Sequence, residues 1–78
     1  MRTAQDTVFQ LWCRLTDNDP LEFGADEREA FLARPQVSEL SRTPYALLLN
    51  AGVAVGRRGS LPLERWLGAV RTSQPISA

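Results

Sequence analysis

The sequence predicts an all-α fold, a small bundle of about four short helices, and three observations predict it. Apolar residues recur at i, i+3, i+4 and i+7 in residues 8–15 and again in residues 63–70. Two pairs of a capping residue and a proline, at residues 19–20 and 43–44, are typical of helix starts. The segments between these patterns are short. The chain of 78 residues therefore forms one domain, residues 1–72, with a frayed tail at residues 73–78.

The first helix is predicted from about Thr3 to Thr16. Thr3 can cap it, and Asp6 stands three residues later, where an acid interacts favourably with the helix dipole. Its apolar stripe predicts a face that packs in the core. The helix ends before Pro20, which cannot continue it.

The middle of the chain predicts a second helix with a less certain beginning. Residues 19–22 form a helix-start pattern, but Gly24 weakens a continuous helix there. Residues 26–34 are the clear part, and Pro35 is expected to end it. A single helical turn can follow at residues 37–40.

Thr43 and Pro44 begin the next helix. Its three consecutive leucines, at residues 47–49, predict that it is the most buried helix of the fold. Asn50 needs a hydrogen-bond partner if it lies inside. Gly52 is the expected C-terminal cap.

Residues 53–60 leave two alternatives open. Val53, Ala54 and Val55 either extend the helix or begin a minimal hairpin or wing near residues 53–60. Ser60 is then expected to cap the last helix.

The composition argues against several classes of function. Histidine is absent, which removes the commonest general base and zinc ligand. The single cysteine, Cys13, cannot form an intramolecular disulfide, so a cytoplasmic protein is expected. No segment has the length of a membrane span or the pattern of a signal peptide. We expect no catalytic residues, no metal and no cofactor.

The charges are unevenly placed although the net charge is zero. Residues 1–29 carry three arginines against seven acids, a net charge of −4, and residues 30–78 carry six arginines against two acids, a net charge of +4. Such a division can create two surfaces of opposite potential. All nine basic residues are arginine, which codon bias in a GC-rich bacterial or phage genome explains without a functional role.

The strongest candidates for binding a partner lie in the basic C-terminal half. Arg57 and Arg58 stand between two glycines, where paired guanidinium groups can bind phosphate or carboxylate. Trp66 either packs in the core or, if exposed, anchors an interface. The other candidates are Arg42, Tyr45 and Arg65.

Three segments within residues 41–70 carry a resemblance. Residues 41–48 (SRTPYALL), 53–58 (VAVGRR) and 63–67 (LERWL) resemble the small excisionase or MerR-like winged helix-turn-helix domains. The resemblance implies that Arg42, Thr43 and Tyr45 face the DNA major groove. It also implies that Arg57 and Arg58 contact phosphate or the minor groove.

Two functions of different class follow, with a third beside them. The first is a small regulatory or inhibitory module, of phage or mobile-element origin, that acts without catalysis by binding a protein. The second is a reduced excisionase-like DNA-binding protein. The third is a structural subunit of a larger complex, and a homodimer stays open for all three.

Overall fold

The structure is a computed structural model that describes residues 3–56 and 59–73. Within these residues the chain forms five α-helices, a single 3-10 turn at Pro20–Glu22 and no β-strand, which confirms the predicted all-α fold. The helices are α1 (Ala4–Leu15), α2 (Ala25–Leu32), α3 (Pro35–Leu40), α4 (Tyr45–Val55) and α5 (Leu63–Ser73).

Helix α1 has well-defined ends that its sequence explains. Thr3 and Asp6 form a capping box: the Asp6 amide donates to the Thr3 hydroxyl at 3.1 Å, and the Thr3 amide donates to Asp6 Oδ2 at 3.2 Å. At the other end Asp17 adopts a left-handed conformation with φ 60°. The Asn18 amide there donates to the Cys13 carbonyl at 2.8 Å, which closes a Schellman motif.

Four aromatic rings fasten α2 to α1. Phe9 and Trp12 on α1 contact Phe23, which precedes α2, and Phe31 on α2, with ring centroids 5.2–5.9 Å apart. The arrangement is largely edge-to-face, the favourable geometry for aromatic pairs. Arg28 reinforces it, because its guanidinium bonds Asp6 Oδ1 at 2.6 Å. Helix α2 buries none of its own residues fully, so this cluster holds it in place.

The main core lies where α1, α3, α4 and α5 meet. Trp66 on α5 is its largest fully buried side chain, and its indole N–H donates to the Leu48 carbonyl at 3.0 Å. Val8 on α1 and Val37 and Leu40 on α3 are likewise fully buried. The apolar stripes predicted for the first and last helices are therefore core faces.

Several helix boundaries differ from the sequence prediction. Gly52 was expected to cap its helix, but α4 continues to Val55 and Gly56 is the C-cap. Gly52 instead lies at a close crossing of helices, since a Cβ there would overlap Leu15 Cδ1 and come within 3.3 Å of Trp66 Nε1. Pro35 begins α3 rather than only ending the helix before it, because proline fits the first turn of a helix.

The C-terminal half shows three further differences. Residues 53–55 are helical, so the first strand of the alternative hairpin or wing near residues 53–60 is absent. Ser60 does not cap α5, which begins at Leu63 with the Trp66 amide donating to the Pro62 carbonyl at 3.0 Å. The predicted tail begins one residue early, because Ser73 ends α5, and residues 74–78 lie outside the described residues.

In the described part of the chain, none of the helices is both long enough and apolar enough to cross a membrane.

Candidate functional site

One side of α4 exposes apolar side chains to solvent. Tyr45, Leu49 and Val53 follow one another at intervals of four residues, so they lie on one side of the helix. Tyr45 is 49% exposed, Val53 is 64% exposed and Leu49 is half-buried. Ala46, Asn50 and Ala54 beside them are exposed. We call these six residues the α4 face.

The α4 face is exposed because a short helix cannot bury all of its apolar surface in this domain. Helix α4 contains no charged residue, yet it fully buries only Leu48, Ala51 and Gly52. These three point towards the core. Leu47, Leu49 and Val55 pack partly against the core, and Tyr45, Ala46, Val53 and Ala54 are exposed to solvent. A contiguous apolar surface in solvent often marks an interaction site.

A pocket of about 210 Å³ adjoins the N-terminal end of the α4 face. Its walls are Thr7, Gln10, Leu11 and Arg14 from α1 together with Tyr45. The Arg14 guanidinium is exposed and forms no ion pair with any residue that the structure describes. The pocket therefore places one positive charge beside an apolar surface.

A second cleft, of about 250 Å³, lies on another part of the molecule; we call it the Trp12 cleft. It is lined by Trp12, Phe31, Arg34 and residues 59–63. Two hydrogen bonds fix its loop wall: the Trp12 indole N–H donates to the Leu61 carbonyl at 2.8 Å, and the Gly59 amide donates to the Thr16 carbonyl at 3.0 Å. The cleft is thus an open, mostly apolar depression whose loop wall is hydrogen-bonded in place and whose lining includes an arginine.

The candidate binding residues predicted from the sequence lie in different parts of the structure and differ in exposure. Arg42 is exposed just before α4, Tyr45 belongs to the α4 face, and Arg65 is exposed on α5. Trp66 is fully buried, so its role as an interface anchor is wrong and its alternative role in the core holds. Arg57 and Arg58 lie outside the described residues.

Sequence reasoning missed Val53 and Leu49 as candidate contact residues. The helix with leucines at residues 47–49 is predicted to be the most buried, but of these leucines α4 fully buries Leu48 alone. Asn50 is exposed, so it needs no internal partner. The available signal was the absence of charge over eleven residues in a chain too short to surround such a helix.

Two ion pairs on the surface each lower the pKa of a carboxyl group. The hydrogen bond from Arg28, with those from Thr3, lowers the pKa of Asp6. Arg71 binds Glu39 through both carboxylate oxygens, at 2.7 and 2.6 Å, and this lowers the pKa of Glu39. Both pairs are on the surface, where such contacts contribute little stability. They join α2 to α1 and α5 to α3.

Cys13 lies in the core rather than in a cleft. Its side chain is fully buried, and burial raises the pKa of the thiol, which disfavours the reactive thiolate. Across residues 3–56 and 59–73, no three groups of the kinds that ligate metals come together.

Comparison of the chain with protein-family models, with curated proteins and with solved structures finds no match.

Proposed function

We propose that this chain is a small non-enzymatic module that regulates or inhibits a protein partner by binding it through the α4 face. The observation that carries the proposal is the exposure of Tyr45 and Val53, with the half-buried Leu49 between them, along one uncharged side of a helix. We place the protein in the cytoplasm and attribute it to a phage or mobile element, on the composition of its sequence.

The α4 face has the spacing that helix-in-groove recognition uses. Side chains at i, i+4 and i+8 lie along one line and can enter a groove of a partner. Because the face is uncharged, covering it removes no ionic group from water, and a covered charge would be costly. Tyrosine is enriched in interfaces, where its ring packs and its hydroxyl stays hydrogen-bonded.

The arginines around Tyr45 suit the edge of such an interface. Arg14 lines the adjoining pocket and Arg42 is exposed one turn before α4. Charges at an interface edge mainly increase the association rate and select the partner. A partner with acidic groups around an apolar groove fits this arrangement.

A role without catalysis agrees with the side chains in the clefts. Both clefts contain an arginine but no carboxylate and no cysteine among their lining residues. The sequence has no histidine that could serve as a general base. The thiol of Cys13 is buried in the core.

A pair of variants tests the proposal. Val53→Lys places a charge at the most exposed large apolar side chain of the α4 face, and Thr72→Lys places the same charge on an exposed site in α5. Both sites lie near the C-terminal ends of helices of equal length, 11 residues, where a cation is tolerated by the helix dipole. Each variant and the unaltered chain are immobilised and used to capture proteins from an extract of the source organism.

We expect the unaltered chain and Thr72→Lys to retain the same partner in stoichiometric amount, and Val53→Lys to lose it. Circular dichroism establishes that all three are equally folded. Equal capture by both variants overturns the role of the α4 face. A titration with duplex DNA accompanies the capture. Tight binding of the DNA with a steep salt dependence overturns the hypothesis that the chain binds a protein.

A further inference from the structure

The turn around Leu21 and the Trp12 cleft are not used by the proposed function, and they complement each other. We propose that two copies of this chain associate through them. Leu21 of one copy enters the Trp12 cleft of the other, and Glu22 of the first copy pairs with Arg34 of the second. This contact is separate from the α4 face and goes beyond the proposed function.

Leu21 is presented to solvent by a turn that its neighbours hold in place. Its side chain is 90% exposed, more than that of any other large apolar residue in the described chain. The Asp19 carboxylate accepts from the Leu21 amide at 3.0 Å, and Pro20 fixes the first position of the 3-10 turn. Phe23, after the turn, is anchored on Phe9 and Trp12. The leucine is therefore held outwards before any partner arrives, which reduces the entropy lost on binding.

The Trp12 cleft has the size and chemistry to receive such a side chain. Its volume of about 250 Å³ is larger than one leucine side chain, and Trp12, Phe31, Leu61 and Leu63 supply apolar walls. The two hydrogen bonds to the loop wall keep the recess open in the shape described. Entry of Leu21 removes apolar surface from water on both copies, which is the main driving force for association.

The charges beside the two features are opposite. Glu22 is exposed directly after Leu21, and it forms no ion pair within the described residues. Arg34 is the charged residue that lines the cleft in the described chain, and it too is without an ion pair there. The wider distribution agrees, since residues 1–29 carry −4 and residues 30–78 carry +4. Opposite charges steer the two copies together and fix their orientation.

The contact is small, so the association is weak. One apolar anchor and one ion pair fall at the low end of interface sizes, and a dissociation constant on the order of 10⁻⁴ M is expected. If both turns and both clefts engage at once, the assembly closes as a twofold dimer; if one of each engages, it grows as a chain.

Sedimentation equilibrium between about 10 µM and 1 mM measures the association, with the upper concentration about tenfold above the expected dissociation constant. The unaltered chain is expected to rise from the mass of a monomer towards that of a dimer or larger species. Leu21→Ser should weaken association roughly tenfold to a hundredfold, because the exposed leucine contributes to the contact rather than to the fold.

A charge exchange tests the pairing itself. Glu22→Arg and Arg34→Glu are each expected to weaken association, since each brings two like charges together, and the double variant should restore it. Val53→Lys should associate as the unaltered chain does. The proposal is overturned by a monomer at every concentration, by a dimer that Leu21→Ser leaves intact, by a double variant no better than the single ones, or by a dimer that Val53→Lys abolishes.

Discussion

The buried indole of Trp66 offers a sharp check of the packing, because Trp12 provides a matched comparison. Each indole N–H donates to a leucine carbonyl, Trp66 to Leu48 at 3.0 Å and Trp12 to Leu61 at 2.8 Å. Trp66 is fully buried, whereas Trp12 is half-buried at the edge of a cleft. Trp66→Phe and Trp12→Phe therefore lose the same kind of hydrogen bond from different surroundings.

The loss of stability is estimated from the side-chain volume and the hydrogen bond that Trp66→Phe removes. Trp66→Phe leaves a void of about 40 Å³, which costs about 1 kcal/mol at about 24 cal/mol per Å³. The lost hydrogen bond costs about 1 kcal/mol more. The total, about 2 kcal/mol, lowers Tm by about 8–16 °C for a domain of this size. Trp12→Phe loses the hydrogen bond but leaves a space that water can enter, so we expect about 1 kcal/mol.

Urea unfolding followed by circular dichroism measures the free energy of unfolding of both variants under the same conditions. We expect Trp66→Phe to be less stable than Trp12→Phe by about 1 kcal/mol, with an unchanged m-value. If Trp66→Phe is as stable as Trp12→Phe, the indole of Trp66 is not packed in the core as described.

Three further predictions concern the core, the surface and the thiol. Gly52→Ala should lower the free energy of unfolding by about 1–2 kcal/mol through overpacking, whereas Gly68→Ala, with open space around its Cβ, should raise it by about 0.5–1 kcal/mol, both measured in urea. The pKa of Asp6 is lowered in the folded state, so its contribution to stability is present above its ordinary pKa and is lost as the pH falls through the folded value; Asp6→Asn should flatten the acid limb of a plot of Tm against pH. Cys13 should react slowly with a thiol reagent in the native protein and rapidly in denaturant.

Each of these has a clear contrary result. Equal stability of the two alanine variants would contradict the close crossing at Gly52. An acid limb unchanged by Asp6→Asn would contradict the capping box and the pair with Arg28. Rapid labelling of Cys13 in the native protein, without denaturant, would contradict its burial.

Periodicity and capping predicted the helices at both ends of the chain well. The Thr3 cap and the stripe that follows it are local signals, and the structure uses both. The stripe of the last helix likewise packs in the core, although Ser60 does not cap it, because Pro62 already supplies the carbonyl that begins the helix.

The errors came from residues whose role depends on contacts distant in sequence. A glycine after an apolar run fits a C-cap, but Gly52 lies inside α4 because Leu15 and Trp66 approach its backbone. Three leucines in a row cannot all face one core, and which of them is buried depends on where α1 and α5 pack. The uncharged sequence of α4 indicates that part of this helix is exposed, but which residues are exposed, Val53 among them, follows from the three-dimensional arrangement. The exposure of Leu21 likewise follows from that arrangement.

The central claim is that the α4 face binds a protein partner, and titration calorimetry with the captured partner tests it most directly. The account predicts that Thr72→Lys binds with the affinity of the unaltered chain and that Val53→Lys binds at least tenfold more weakly, since a charge would be buried within an apolar contact. Equal affinities of the two lysine variants would contradict the account.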